Sequence, residues 1–283
     1  PVKIRLQNVL REGSLLSVGT PLPKGVSIAQ VVEKCAEHMT EDRRLQTPSA
    51  VSHPSSVIGH GFACSFKNVG FSFGAPEQCT ATVALYGATE VERAVVYHAG
   101  ADCGQGSHTI MAQMAAEALN LPLAKIGMVV SDTAYTQNSG SASASRLTFM
   151  AGNSIKGACE QALKKWLTEE RPAVATYQYL PPKTTPYDPQ TGKAEPNYAY
   201  GYVAEAVTVE VDTETGHIRI IEVICADDVG RAVNPQQVQG QIEGAVVQAA
   251  GYAVLENFIT RGGHILTDKL STYLIPTVLD VPE

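Results

Sequence analysis

Hydrophobic residues recur along the chain at two spacings, helical and alternating, and the places where the spacing changes divide the sequence into elements. Between residues 2 and 39 the spacing is helical but interrupted by glycine and proline, which predicts two short helices, the second over 28–39 with Ser27 as its cap. Residues 40–56 are polar and predict an exposed connector. Alternating β-branched and aromatic residues then predict three strands, at 61–73, 78–88 and 91–98.

The rest of the chain mixes both spacings. A helix is predicted over 107–120, a strand over 125–130 and a second helix over 145–165. Two strands separated by a Thr-Glu-Thr-Gly turn, at 201–211 and 217–226, predict a hairpin. A long helix follows over 236–257, and its apolar face is expected to point inward: Val238, Ile242, Ala245, Val246, Ala249, Ala253 and Val254.

This order of elements predicts an α+β fold made of two lobes of mixed sheet with packed helices. The predicted division is lead-in helices and a linker over 1–56, a first α+β lobe over 57–171 and a second, truncated lobe over 198–283. Residues 172–197 are rich in Pro, Thr, Tyr and Lys without a period, and they predict an irregular connection between the lobes.

Composition narrows the class of protein. The 283 residues are 44% hydrophobic and carry a net charge of −7 with no basic run, so a large core is expected and nucleic acid is not an expected partner. No apolar stretch is long enough to cross a bilayer and no signal-peptide pattern is seen, which predicts a cytoplasmic protein. The six cysteines form no CxxC pair and the seven histidines show no HxxxH or HExxH spacing, so reduced thiols and no metal site of protein side chains are predicted.

The first candidate site is the segment Cys103, Gly104, Gln105, Gly106 and Ser107, between a predicted strand and the start of a helix. The glycines allow the backbone to approach a ligand, and the free N–H groups of a helix start suit anionic or carbonyl oxygens. The Gln105 amide both donates and accepts, as reading a heterocycle edge requires. Taken alone, the Gly-Gln-Gly tripeptide of residues 104–106 is more often only a tight turn.

The second candidate is the Asn-Ser-Gly-Ser-Ala-Ser-Ala-Ser-Arg run over 138–146, which also precedes a helix. It offers hydroxyls, unobstructed N–H groups and the Arg146 guanidinium, which suits a phosphate. The alternative is a flexible Ser and Ala loop whose arginine pairs with a neighbouring carboxylate.

The third candidate is Gln241, early in the long helix within Gly-Gln-Ile-Glu-Gly. A glutamine one turn into a helix can face a pocket while the next residue faces the core. Glu243 and the Asp227 and Asp228 pair are candidate general bases, although acidic residues at such a place more often serve only the helix dipole.

Six segments, in this order, resemble the molybdenum hydroxylases of the xanthine dehydrogenase and aldehyde oxidoreductase family. They are IRLQNVLREG, GQGSHTIMAQMAAEALNLP, the DT at residues 132–133, GSASASRLTFMAGN, NPQQVQGQIEGAVVQAAGYAVLEN and YLIPTVLDVPE. Because the order matches over most of the chain, chance is a poor explanation.

The resemblance implies a molybdenum-bearing molybdopterin, in its cytosine dinucleotide form as in bacterial members. It implies that Gln105 and Gln241 hydrogen-bond the pterin and dithiolene end. It also implies that Ser143, Ala144, Ser145 and Arg146 line the metal end and hold phosphate, with Cys103, Gly104 and Gly106 alongside and Ser141 as a further cofactor-binding residue. No side chain is expected to bond to the metal.

The resemblance further implies that this chain acts only within a larger assembly. The family's catalytic glutamate follows the segment that corresponds to residues 280–283, so it is expected beyond Glu283 and no catalytic residue is expected in this chain. The family's FRG loop, 2Fe-2S cysteine motifs and FAD domain are not found in it either and are expected on partner domains or subunits. The implied reaction oxidises a C–H of an N-heterocycle or aldehyde using water and passes the electrons to those partners.

Two other functions stay open at this point. The chain could be a free-standing phosphate-binding or nucleotide-binding module without redox activity. It could also be a thiol-based enzyme that uses Cys103 with His108 as its base. The sequence leaves the substrate and the oligomeric state undetermined.

Overall fold

The computed structural model describes residues 1–41 and 55–282. The predicted connector falls mostly outside these residues. The main elements are helices α1 Val2–Asn8, α2 Ile28–Glu41, α3 Ser107–Leu119, α4 Leu147–Leu167 and α5 Pro235–Val254, and strands β1 Ser56–Asn68, β2 Cys79–Tyr86, β3 Arg93–His98, β4 Ile126–Val130, β5 Ala173–Tyr179, β6 Tyr200–Asp212, β7 Ile218–Asp228, β8 Thr260–Arg261 and β9 His264–Ile265. The predicted α+β class is confirmed. No helix of the described ranges is long and apolar enough to cross a membrane.

One core lies between a four-stranded sheet, in the order β4-β3-β2-β5, and the helices α3 and α4. The strand β2 is buried almost throughout. The strands β3 and β4 are parallel, while the other pairs in this sheet are antiparallel. A βαβ unit therefore runs from β3 through α3 to β4, which brings the carboxyl ends of two neighbouring strands to one end of the sheet.

The second core lies between α1 and α2 and one face of the antiparallel sheet β1-β6-β7. Alternate residues of β6, from Tyr202 to Glu210, are buried, as expected for a central strand. Ser27 directly precedes α2, as predicted for its cap, and its carbonyl accepts the Val31 N–H at 3.0 Å. The Ser27 hydroxyl also donates a hydrogen bond to Asp228 Oδ2 at 2.5 Å. This bond ties the start of α2 to the end of β7.

Two features differ from the sequence prediction in the middle of the chain. The predicted irregular connection contains β5, which pairs antiparallel with β2 along seven residues from Cys79 to Leu85. The strand β1 pairs with β6 rather than with its neighbours in sequence, so strands from both predicted lobes share one sheet. Long-range strand pairing is decided by tertiary packing, which local spacing does not encode. The division into lobes itself stays a prediction.

The helix α5 was expected to bury its apolar face, and this prediction is wrong for the described chain. Gly251 is its only buried residue, and Ala245, Ala249, Ala253 and Val254 are exposed. The segment that follows is similar, with Phe258, Leu270 and Leu279 all largely exposed. Val238, Ile242 and Val246 are half-buried and Pro276 packs close to Gly251, so within the described residues this face is only partly covered.

Candidate functional site

The two loops singled out from the sequence begin at one end of the four-stranded sheet. The first follows β3 and the second follows β4, and these strands are parallel neighbours with His98 opposite Val130. The start of β2 lies at the same end, because Cys79 Sγ is 3.3 Å from His98 Nε2. Open sheets bind ligands beyond the carboxyl ends of parallel strands, so this end is the natural place for a site.

Asp102 organises the first loop, and sequence reasoning missed it. Its Oδ1 accepts the N–H groups of Gly104 and Gly106 at 2.9 and 3.2 Å, and its Oδ2 accepts that of His108 at 3.1 Å. These hydrogen bonds lower the pKa of Asp102. The N–H groups that were expected to bind an anionic ligand are thus already hydrogen-bonded to a carboxylate of the chain itself. This corrects the expectation that they are free for phosphate.

The Gln105 amide is folded back onto its own loop. Its Oε1 accepts the backbone N–H of Cys103 at 2.7 Å, and its Nε2 donates to the carbonyl of Ala101 at 2.9 Å. The two glycines have φ angles of 113° for Gly104 and 79° for Gly106, in the region that favours glycine. The loop is therefore a compact turn, and a ligand that binds through Gln105 has to displace these internal bonds.

The thiol hypothesis is not supported by the geometry. Cys103 is exposed, and its thiol donates to Gln105 Oε1 at 3.2 Å. His108 Nε2 instead donates to the carbonyl of Gly100 at 2.9 Å, so His108 does not act as a base for Cys103.

Arg146 is buried at the base of the second loop. Its Nε donates to Glu77 Oε1 at 2.6 Å, in an ion pair in which both side chains are almost fully buried. Its terminal nitrogens donate to three backbone carbonyls, those of Ser139, Ser141 and Gln78. Arg146 was expected to bind phosphate directly, and the structure corrects this expectation. The guanidinium pairs with a carboxylate, which was the alternative interpretation, and it holds the loop from the buried side.

The rim of the second loop is open. Ser141, Ser143 and Ser145 are exposed, and the hydroxyls of the first two are hydrogen-bonded to each other. Ala144 and Ser145 have φ angles of 54° and 52°, which is uncommon for residues with a side chain. Such backbone strain is concentrated at binding sites, where surrounding contacts maintain it. Here one such contact is the hydrogen bond from the Gly70 N–H to the Ala144 carbonyl at 3.0 Å.

The start of α5 docks on the first loop. Asn234 caps the helix by accepting the Gln237 N–H at 3.1 Å, and its amide also donates to Gln113 of α3 at 3.3 Å. A Cβ placed on Gly106 would lie only 2.5 Å from Gln237 Nε2, so the Gln237 side chain packs directly on the glycine. Gln241 is exposed and follows Gln237 by four residues, which puts it on the same helical face, one turn further along.

The acidic candidates do not form a general-base site. Asp228 accepts hydrogen bonds from Ser27 and from the Gly230 N–H, and Glu243 accepts one from Gln239. Burial raises the pKa of Asp227, and Glu205 raises it further. Within the described ranges, no group of three His, Cys, Asp or Glu side chains is arranged to hold a metal ion.

The expected position of the catalytic glutamate, beyond Glu283, is not tested by the structure. Glu283 itself lies outside the described residues. The absence of a catalytic residue from this chain therefore stays a prediction.

Comparison with known proteins identifies the family. The molybdopterin cofactor-binding domain matches residues 34–171 and 164–282. The chain therefore belongs to the molybdopterin-binding domains of the xanthine dehydrogenase and aldehyde oxidase family, a class of molybdenum oxidoreductases.

Two curated relatives show how much of such a protein the chain represents. It is 28% identical over its whole length to xanthine dehydrogenase of Oryza sativa subsp. japonica, of which it spans 22%. Over 80% of its length it is 30% identical to a probable xanthine dehydrogenase subunit of Bacillus subtilis strain 168, of which it spans 34%. The chain thus spans between about a fifth and a third of these relatives.

Two solved structures have the same fold over almost the whole of this chain. Aldehyde oxidoreductase from Desulfovibrio desulfuricans ATCC 27774 superposes with a TM-score of 0.85 at 26% identity, over 99% of this chain and 31% of that one. The aldehyde oxidoreductase of Desulfovibrio gigas gives a TM-score of 0.86 at 25% identity, over 99% of this chain and 32% of that one.

The residues present suit a pterin. Two buried side-chain atoms of the described ranges have no hydrogen-bond partner, Gln237 Oε1 and Ser139 Oγ. The first belongs to the side chain packed on Gly106, and the second to the loop above Arg146. A buried polar atom without a partner is costly, and a ligand rich in N–H and carbonyl groups can satisfy it. Exposed hydroxyls at the loop rim and the Gln241 amide add further donors and acceptors.

Proposed function

We propose that this chain supplies part of the molybdopterin-binding surface of a molybdenum hydroxylase. The observation that carries the proposal is the common position of the two loops beyond parallel β3 and β4, with α5 seated on the first loop at Gly106. When bound, the cofactor supplies the molybdenum centre that oxidises a C–H bond using water. The chain itself binds and orients that cofactor.

The proposal gives the loop residues different parts. The hydroxyls of Ser141, Ser143 and Ser145 lie at the open rim and donate to the oxygens of the cofactor. Ala144 lies between two of them in a strained backbone, which directs the neighbouring peptide groups toward the ligand. Arg146 contributes through the loop, by holding its carbonyls in place from the buried side.

Whereas the second loop binds the oxygens of the cofactor, the first loop and α5 bind its pterin. Gln241 is exposed and needs no rearrangement to hydrogen-bond a heterocycle. Gln105 exchanges its internal bonds to Cys103 and Ala101 for bonds to the ligand, while Gly104 and Gly106 allow the close approach. Because Asp102 already occupies the loop N–H groups, a negatively charged group is favoured at the second loop rather than here.

The same proposal extends to the larger assembly. The apolar face of α5 and the residues that follow it, Phe258 and Leu279 among them, are covered by the rest of the molybdenum-binding part. The chain's coverage of only 22% and 34% of its relatives leaves ample protein for that purpose, and for a catalytic glutamate beyond Glu283. We further propose that a 2Fe-2S centre and FAD on partner domains take the electrons, that the cofactor has the cytosine dinucleotide form, that the substrate is an N-heterocycle or aldehyde, and that the protein is cytoplasmic.

Metal and pterin analysis tests the proposal. In the full-length protein, co-expressed with its neighbouring subunits, Gln241→Ala and a Ser143→Ala/Ser145→Ala variant should lose most of their molybdenum and pterin. Gln239→Ala, exposed on the opposite side of the same helix, is the matched control and should load normally. Normal loading of both test variants would refute the proposal. Release of a nucleotide from a protein that never contains molybdenum would favour the phosphate-binding module instead.

A further inference from the structure

Two histidines hydrogen-bond the backbone of Gly100, one at its N–H and the other at its carbonyl. The Gly100 N–H donates to His98 Nδ1 at 2.9 Å, and the Gly100 carbonyl accepts from His108 Nε2 at 2.9 Å. His98 ends β3 and His108 lies in the first turn of α3, so the glycine is fixed to the two elements that flank the first loop.

The hydrogen bonds define the tautomer of the His98 ring. His98 Nδ1 accepts a hydrogen bond from the Gly100 N–H, so in the neutral ring the hydrogen is on Nε2, which donates to Cys79 Sγ at 3.3 Å. The Ser154 hydroxyl donates to the same sulfur at 3.5 Å. Because His98 is fully buried and fixed at both nitrogens, its ring cannot turn without losing a bond.

Packing leaves the glycine no freedom to move toward the core. A Cβ on Gly100 would lie 2.6 Å from Met111 Cε and 2.8 Å from His98 Nδ1. The loop bonds then build on this fixed peptide. The next carbonyl, that of Ala101, accepts from Ser107 Oγ and from Gln105 Nε2, each at 2.9 Å.

We propose that His98 and His108 are positioning residues, which clamp Gly100 and thereby set the conformation of residues 101–106. The proposal deepens the function above, because those residues are the proposed pterin-binding loop. Neither histidine needs to touch the cofactor. Their effect passes through the backbone of Gly100 and the bonds of Gln105 and Asp102.

His108 offers the cleaner test, since it is only half-buried. His108→Phe keeps a planar ring and removes the donor to Gly100. His108→Gln restores a donor of similar reach. His38→Phe, on the exposed side of α2, is the control. Hydrogen exchange of the peptide that spans residues 100–107, in the cofactor-free protein, reports the loop directly, and molybdenum content of the assembled protein reports its use.

In His108→Phe we expect exchange over residues 100–107 to be about tenfold faster, the size expected for one lost hydrogen bond. We expect His108→Gln to recover most of the protection, with unchanged exchange in β2 for all variants. Unchanged loop exchange in His108→Phe, or faster exchange that His108→Gln does not recover, would overturn the clamp. Faster loop exchange with full molybdenum loading would leave the clamp standing and instead count against the loop as a binding element.

Discussion

At the residue scale, the buried pair of Arg146 and Glu77 decides the shape of the second loop. A buried charge is retained only when it is paired and hydrogen-bonded, and here one guanidinium serves a carboxylate and three carbonyls. Phe71 lies under the same guanidinium, 5.4 Å from ring centroid to Cζ. The buried Arg146 side chain therefore fixes the conformation of the second loop.

Replacement of Arg146 should strongly destabilise the folded protein. Arg146→Ala leaves the charge of buried Glu77 without its ion-pair partner, and we expect the free energy of unfolding to fall by about 3–5 kcal/mol. Arg146→Lys keeps the charge but cannot serve all four acceptors, so a smaller loss is expected. Chemical denaturation measures both. Arg231→Ala, which breaks an exposed pair with Glu117, should hardly change the stability. Equal stability of Arg146→Ala and the wild-type protein would contradict this account.

His98 makes stability depend on pH. Burial lowers its pKa from 6.5 to about 4, with smaller contributions from His108 and Arg146. The unfolded chain therefore binds the proton more tightly than the folded one. The stabilisation is complete above pH 6.5, declines as the pH falls toward 4 and does not change further below that.

Unfolding measured between pH 7 and 4 should show this decline, which is at most about 3 kcal/mol for one such group. His98→Gln removes the titrating ring and should flatten that part of the profile. A profile that is equally steep in the variant would show that other groups are responsible.

The sequence predicted where the site residues lie better than what they do. Gly104, Gly106 and residues 141–144 lie in loops before helices, as expected, because turn and helix-start signals are local. Arg146 was assigned to phosphate because its partner Glu77 is 69 residues away in sequence. Asp102 and Gln237 were missed, although an Asp just before a helix and a Gln four residues before Gln241 were visible signals.

At the element scale, the contact between α5 and the first loop joins the second part of the chain to the first. Gly106 has a φ of 79° and meets Gln237, so a side chain there is opposed both by its backbone conformation and by its neighbour. We expect Gly106→Ala to cost more than the roughly 1–2 kcal/mol of a left-handed residue alone.

A double-mutant cycle separates these two causes. Gln237→Ala removes the neighbour, so the Gly106→Ala/Gln237→Ala protein should recover the packing part of the loss and keep the backbone part. Unfolding free energies of the four proteins supply the measurement. Strict additivity would mean that Gln237 does not rest on Gly106.

Elements themselves were well predicted where their pattern was local. The helices α3 and α4 and the hairpin of β6 and β7 lie close to their predicted ranges. The strand β5 was missed because its sequence, Ala-Val-Ala-Thr-Tyr-Gln-Tyr, lies within a stretch whose Pro and Lys content suggested irregular chain. Its structure depends on pairing with β2, almost one hundred residues earlier, and on packing against α4.

At the scale of the whole molecule, the contrast between a buried four-stranded sheet and a largely exposed α5 is the main feature. Tyr252 is 83% exposed on α5, and Leu279 is 92% exposed in the segment near the end. Apolar surface of this kind marks a surface that contacts other protein.

We therefore expect Tyr252→Asp to leave the thermal unfolding midpoint of the chain unchanged and to weaken its assembly with the rest of the molybdenum-binding part. Co-purification or analytical ultracentrifugation measures the assembly. Gln161→Asp, at an exposed position of the helix α4, adds the same single negative charge and is the control. Wild-type assembly of Tyr252→Asp would show that this face of α5 is not the contact surface.

A map of the cofactor-loaded assembly by cryo-electron microscopy or crystallography tests the central claim most directly. The account predicts one molybdopterin bounded by residues 101–106, by the serine rim of the loop over 138–146 and by Gln241, with Arg146 still paired to Glu77 beneath the loop. A cofactor located elsewhere in the assembly, in contact with none of these three elements, would contradict it.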